Sequence, residues 1–275
     1  MSDAPYEAVV PADGRRVGRA LFVHGFAEHA GRYRPFAERL AAAGVETTLL
    51  DLPGHGRSPG PRGRIDDAEA LVDRLAARLA DLGRDGTPVA ALGHSFGGAL
   101  LLRAAQRPGH DTRIVAVTGP YLASALATPA WLLALVGAAS RVAPGLRTRP
   151  VPSGTVSGVR DEVEAYDRDP LVDRGGVRLA SLRELHALGP RVLADAARTR
   201  VPVVIVHGAD DALAAVEGSR AFAAASGAAE VDLHVVPNGA HDLLHDVAAT
   251  DVAARLLQAV RAAGVARPSG AAAPG

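Results

Sequence analysis

The chain has 275 residues, 48% of them hydrophobic, with 30 basic residues, every one an Arg, set against 30 acidic ones. That length is enough for one large α/β domain with a sizeable core, and zero net charge argues against a nucleic-acid partner. There is no Cys, which excludes disulfides, thiolate metal sites and a Cys nucleophile.

Met1 to Pro5 lacks the basic start and apolar core of a secretory signal, so a cytoplasmic location is expected. The first clear element is the apolar run Ala20 to Val23, which ends in His24-Gly25. A helix is expected from Pro35 to Ala43, with Pro at an early helical position and Phe36 and Leu40 on one face. Thr47 to Leu50 reads as a strand, and Leu71, Leu75, Leu79 and Leu82 form the apolar stripe of the next helix. A strand at Val89 to Leu92, a helix at Ala99 to Gln106 and a strand at Ile114 to Val117 follow. Later come a strand at Val203 to Val206, a helix at Val216 to Ala225, a strand at Val231 to Val236 and a last helix at Val247 to Ala262. Strands alternating with helices imply crossover connections and a mostly parallel sheet flanked by helices.

The alternation lapses between about residues 119 and 200, which reads as a helical cap inserted into a single domain spanning residues 1–266. An insertion after a parallel strand lies at the carboxyl edge of the sheet, where α/β ligand sites form. Ile114 to Ser140 carries no charged side chain and is long enough to span a bilayer. Its Gly119-Pro120, Pro129 and many Ala, Ser and Thr residues fit a buried strand followed by an apolar cap helix better. The Pro-, Gly- and Ala-rich tail, 267–275, is expected to be disordered.

Gly93-His94-Ser95-Phe96-Gly97 has the pattern G-x-S-x-G between a strand and a helix. Such a turn lifts a Ser hydroxyl above the sheet and needs glycines where side chains would clash. A hydroxyl attacks only when a base takes its proton, and the base needs a carboxylate to orient it. In this arrangement the chain order is Ser, acid, His. His241 follows the last strand at short loop distance; His245, four residues on, is the alternative, expected in the first turn of the last helix. The strand ending at Val206 leads into His207-Gly208-Ala209-Asp210-Asp211, which offers two acids, Asp211 being further round the turn. An oxyanion needs backbone N–H donors; Phe96, next to the Ser, and Phe26, after His24-Gly25, are the candidates. Asp51 to Ser58 reads as a structural turn near the mouth of the site. No metal-ligand spacing and no phosphate-binding glycine fingerprint is present, so no cofactor is expected.

These motifs resemble the monoacylglycerol lipase and lysophospholipase branch of the α/β-hydrolases, a serine aminopeptidase S33-like domain, from about Ala20 to Val260. The stretches that carry the resemblance are His24 to Tyr33, Asp51 to Ser58, Gly93 to Gly98, Tyr166 to Val172, His207 to Asp211 and His241 to Asp246. The first and fourth are family-specific. The resemblance implies an α/β-hydrolase fold and a catalytic set of Ser95, Asp211 and His241, and so decides between the two acids. It also implies oxyanion donors at Phe26 and Phe96, and a glycerol-side pocket near Glu28, Arg32, His94 and Tyr166. It implies an apolar cap that admits the acyl chain and docks on membranes; the helical segment Pro129 to Val142, with Trp131 and Leu135, fits that part. Pro53 stands where relatives usually have Arg, and the short N-terminal stretch implies a first strand that is missing or reduced. A monoacylglycerol or similar acyl ester is the expected small-molecule substrate. A specialised carboxylesterase, thioesterase, lysophospholipase or acyltransferase would use the same triad, whereas a non-catalytic binding protein would show a damaged one.

Overall fold

The computed structural model describes residues 4–268. In chain order they form β1 (Glu7–Val10), β2 (Gly18–Val23), α1 (Arg34–Ala42), β3 (Val45–Leu50), α2 (Ala68–Leu82), β4 (Val89–His94), α3 (Ser95–Ala104) and β5 (Thr112–Thr118). Then follow α4 (Ala130–Val142), α5 (Arg160–Arg168), α6 (Leu179–Ala194), β6 (Val203–Gly208), α7 (Val216–Ala225), β7 (Val231–Val236) and α8 (Ala249–Ala262). The strands make one seven-stranded sheet in the order β1-β3-β2-β4-β5-β6-β7. Only β1 runs antiparallel, pairing with β3; the other neighbours are parallel. The first strand is therefore present but reduced to four residues.

Alternation along each strand splits its side chains between two faces. Leu21, Val23, Ala91, Val115, Val117, Val203 and Ile205 face a core closed by α2, α3, α6 and α7. Ala20, Phe22, Leu92, Ile114, Ala116, Val204 and Val206 face a second core closed by α1 and α8. Both faces are covered, so the central strands are apolar on both sides. The stripe on α2 is buried as the spacing predicts, and the Asp67 carboxylate accepts the Ala70 N–H to cap that helix.

After β2 the chain adds β3 on one side and then crosses to place β4 on the other. The order reverses there, and the crevice at the carboxyl ends of β2 and β4 is where ligands bind in such sheets. Residues 119–202 run from β5 to β6 over that edge as helices and loops, with no strand among them. Within this segment α4 packs on α6. Helix α3 begins at Ser95, four residues earlier than the periodicity predicts, because the Gly97-Gly98 pair is part of the helix. His245 lies in a 3₁₀ turn, Leu243–His245, ahead of α8 rather than in its first turn. The expected disordered tail begins too early: the Arg267 N–H bonds to Ala43 O at 2.9 Å and its guanidinium to Asp13 O at 2.9 Å. Residues 269–275 lie outside the described residues.

Candidate active site

Strand β4 delivers Ser95 at the start of α3 with φ +51°. A non-glycine residue in this left-handed region is strained, by about 1–3 kcal/mol, and persists only where its surroundings hold it. What holds it is close backbone packing: a Cβ on Gly97 would sit 2.3 Å from the carbonyl oxygens of both Val23 and His24. The β2 loop therefore lies directly against the turn.

The other two side chains of the expected set come from the ends of β6 and β7. His241 Nε2 lies 2.9 Å from Ser95 Oγ, and His241 Nδ1 lies 2.7 Å from Asp211 Oδ2. A carboxylate only accepts, so Nδ1 carries the proton and Nε2 offers its lone pair to the Ser hydroxyl. Asp211 Oδ1 accepts the N–H groups of Leu213 at 2.9 Å and Ala214 at 2.8 Å. Asp210, the alternative acid, points to solvent. Burial favours a protonated Asp211, but His241, His207 and the Ala214 N–H outweigh it and hold the carboxyl well below its usual range. Burial likewise pulls the His241 pKa down, yet the adjacent Asp211 charge and hydrogen bond leave it raised above 6.5.

Two contributors to this arrangement escape sequence reading. His207 is fully buried; its Nε2 donates to Ala214 O at 2.9 Å and lies 3.3 Å from Asp211 Oδ2, so it backs the carboxylate. Gly119 leaves β5 with φ +47°, and a Cβ there would stand 3.0 Å from His241 O and 3.4 Å from its Nδ1. Gly119 has no local motif because its partner His241 lies far along the chain, and His207, though only four residues before Asp211, has no spacing that by itself marks it as the support of that acid.

Phe96 is the second residue of α3, within the first turn, whose N–H groups have no partner inside the helix. Phe26 stands beside it, the two rings meeting edge to face at 6.5 Å. The loop that carries Phe26 is braced by a buried polar network. Glu28 Oε1 accepts Gly25 N–H at 2.6 Å and Tyr33 O–H at 2.7 Å, while Glu28 Oε2 lies 2.9 Å from Arg32 Nε. Arg32 Nη2 reaches Asp242 Oδ2 at 2.9 Å, and His245 Nδ1 lies 2.9 Å from the same oxygen. Glu28 and Arg32 thus pair as their charges suggest, but deep in the loop. His245, the alternative base, is a part-buried member of this network. Asp51 holds the loop from below, accepting Ala30 N–H at 2.8 Å and Arg57 N–H at 2.8 Å. The carbonyl of Pro53 accepts from His55 Nδ1 at 2.9 Å.

His94 is buried against His241, ring centroids 4.7 Å apart, with Nδ1 turned 3.1 Å from Thr118 Oγ1. Tyr166 on α5 stacks on Arg32, whose guanidinium carbon is 4.8 Å from the ring centroid. The two family-specific stretches meet in space: Asp169 Oδ2 lies 2.7 Å from His29 Nε2, and just past the second stretch Asp173 N–H bonds to Ala27 O at 2.7 Å. Trp131 and Leu135 remain 68% and 57% exposed. In this conformation they present open apolar surface instead of an enclosed pocket wall.

Residues 15–248 match the family described as serine aminopeptidase, S33 (Hydrolase_4). The chain is 33% identical over 232 residues to the monoacylglycerol lipase of Mycolicibacterium smegmatis, covering 83% of this chain and 82% of that one. It is 30% identical over 229 residues to the monoglyceride lipase of Homo sapiens, covering 82% and 75%. The crystal structure of Paleococcus ferrophilus monoacylglycerol lipase superposes with a TM-score of 0.86 at 26% identity, covering 94% of this chain and 99% of that one.

Proposed function

The chain belongs to the serine aminopeptidase S33 family, and from that premise we propose that it is a serine ester hydrolase cleaving monoacylglycerols or closely related lipid esters. The observation that carries the chemistry is the continuous chain Ser95 Oγ, His241 Nε2, His241 Nδ1, Asp211 Oδ2, with contacts of 2.9 and 2.7 Å. Ser95 Oγ attacks the ester carbonyl as its proton passes to His241 Nε2, and Asp211 stabilises the imidazolium. The N–H groups of Phe96 and Phe26 hold the oxyanion. Collapse of the tetrahedral species expels the alcohol, which takes the proton from His241. Water, deprotonated by the same nitrogen, then attacks the acyl-Ser95 carbonyl and releases the fatty acid. No cofactor enters this cycle.

The acyl chain lies under the cap, residues 119–200, an insertion within the single domain of residues 1–266. Tyr166, next to the Arg32 guanidinium, faces the polar alcohol side. Exposed Trp131 and Leu135, together with Leu126 at 61% and Val142 at 87%, form an apolar surface of the kind that marks a ligand or membrane contact. Among the described residues no helix is long and apolar enough to cross a membrane.

The test pairs fluorophosphonate labelling with an ester panel of monoacylglycerols, lysophospholipids, acyl-thioesters and short p-nitrophenyl esters. Labelling that disappears in Ser95→Ala, with monoacylglycerol turned over fastest, is expected. Absence of labelling in pure folded protein would sink the hydrolase reading, and faster thioester turnover would replace the substrate class.

A further inference from the structure

The acidic residue in the turn between the 3₁₀ segment Leu243–His245 and α8 takes no part in the cycle above, yet it is 95% buried and fully engaged. Asp246 is 5% exposed. Its Oδ2 accepts the N–H of Ala240, the residue just before His241, at 2.6 Å. Its Oδ1 accepts the N–H of Gly158, in the cap, at 2.8 Å. Two more bonds join the same strips of chain: Ser157 Oγ donates to His245 O at 2.6 Å, and Asp242 N–H bonds to Val156 O at 2.8 Å. Residues 156–158 of the cap are thereby fastened to the loop that carries the base.

We propose that Asp246 is a positioning residue for hydrolysis, a two-armed clasp that fixes the peptide preceding His241 by anchoring it to cap residue Gly158. The inference rests on the hydrolase reading above. Two main-chain donors converge on two oxygens of one side chain, an arrangement only a group that accepts at both ends satisfies. A carboxamide of the same shape turns an N–H toward one of the two N–H donors whichever way it is placed. It therefore releases either the His241 loop or the cap. The catalytic bond between His241 and Ser95 depends on a position set from 146 residues away, so slack at Ala240 acts directly on it. The cap, in turn, does more than cover the substrate: its seating helps set the base.

The experiment compares Asp246→Asn and Ser157→Ala with the wild type in the full chain, using kcat per fluorophosphonate-titrated site, KM for a p-nitrophenyl ester, and the labelling rate of Ser95. Asp246→Asn is expected to lower kcat and labelling rate together by about 10- to 100-fold with KM nearly unchanged, the penalty of a small misplacement of a catalytic group. Ser157→Ala, which removes the hydroxyl that donates to His245 O and lies 3.3 Å from Asp246 Oδ1 but leaves the Ala240 bond, is expected to cost about 2- to 10-fold, the worth of one hydrogen bond. The double variant should lose less than the product of the single losses, since both act on one clasp. If Asp246→Asn melts earlier but keeps more than half of wild-type kcat per titrated site, the residue is a fold support only and the proposal fails. Should Asp246→Asn not fold, full activity in Ser157→Ala would overturn it instead. A wild type that labels at Ser95 but cleaves no monoacylglycerol would refute the substrate reading alone, and the labelling rates would still decide the clasp.

Discussion

Replacing Asp211 by Asn changes no volume, and the structure dictates how the new side chain sits. The Oδ1 site faces two N–H donors, Leu213 at 2.9 Å and Ala214 at 2.8 Å. The amide oxygen must occupy that site, because an NH2 group there would meet both donors. The NH2 is then forced into the Oδ2 site, 2.7 Å from His241 Nδ1. His241 can meet an N–H at Nδ1 only by offering a lone pair, so its proton moves to Nε2. That proton points at Ser95 Oγ, and the base is gone. The same NH2 also faces His207 Nε2, 3.3 Å from Oδ2 and already a donor to Ala214 O, so the variant gains no relief on that side. A wrong tautomer with no countercharge costs about 10⁴ in kcat in the best-studied triad, or about 5 kcal/mol at 1.36 kcal/mol per tenfold. The assay is kcat on a p-nitrophenyl ester, normalised to folded protein, for Asp211→Asn beside Asp210→Asn. Asp210 is exposed, and its variant is expected to stay within a few-fold of wild type. A loss below 10-fold in Asp211→Asn, or an equal loss in Asp210→Asn, would refute the tautomer argument.

The acidic limb of kcat/KM is expected above pH 6.5, because in the proposed mechanism His241 acts only when neutral and the Asp211 charge raises its pKa despite burial; activity rises as pH climbs through the raised pKa, and a limb below 6.5 would contradict the sign. Leu135→Glu, at a position 57% exposed, should leave the melting temperature nearly unchanged while cutting turnover of long-chain esters far more than short ones; unfolding or equal losses would mean core packing instead. Arg32→Ala strips Glu28 and Asp242 of their shared cation, and breaking such a buried pair costs about 3–5 kcal/mol, so a lower melting temperature and losses on monoacylglycerol and p-nitrophenyl ester alike are expected in denaturation and kinetic assays. Tyr166→Phe removes one hydroxyl and should raise KM for monoacylglycerol up to about 10-fold with the p-nitrophenyl ester unaffected; equal shifts on both would remove Tyr166 from the alcohol side.

Local pattern carries the central strands β4, β5 and β6 because each is built on an apolar run buried on both faces. It carried α7 and β7 to the residue, since Val216–Ala225 and Val231–Val236 need no distant partner to explain their ends. It carried the Ser95 turn because the glycines that permit close packing belong to the motif itself. Local pattern places the start of α3 at Ala99 because Gly97 and Gly98 oppose helix formation on their own, and only their packing against Val23, His24 and Val117 makes small residues necessary there. Strand β1 was equally faint: four residues acquire their conformation from the ladder with β3. Helix α4 was legible as apolar, but whether that face meets a core or open surface depends on neighbours that local pattern does not describe. The polar partners are the clearest case. Arg32 with Asp242, His241 with Asp211, and Asp246 with Gly158 are contacts between loops whose separation is fixed by the sheet order β3-β2-β4-β5-β6-β7. Sequence determines which side chains can donate, accept or carry charge, because those properties belong to each residue alone. Which of them come within 3 Å of one another is decided by the crossovers that bring the strand ends to one edge, and that is a property of the whole chain.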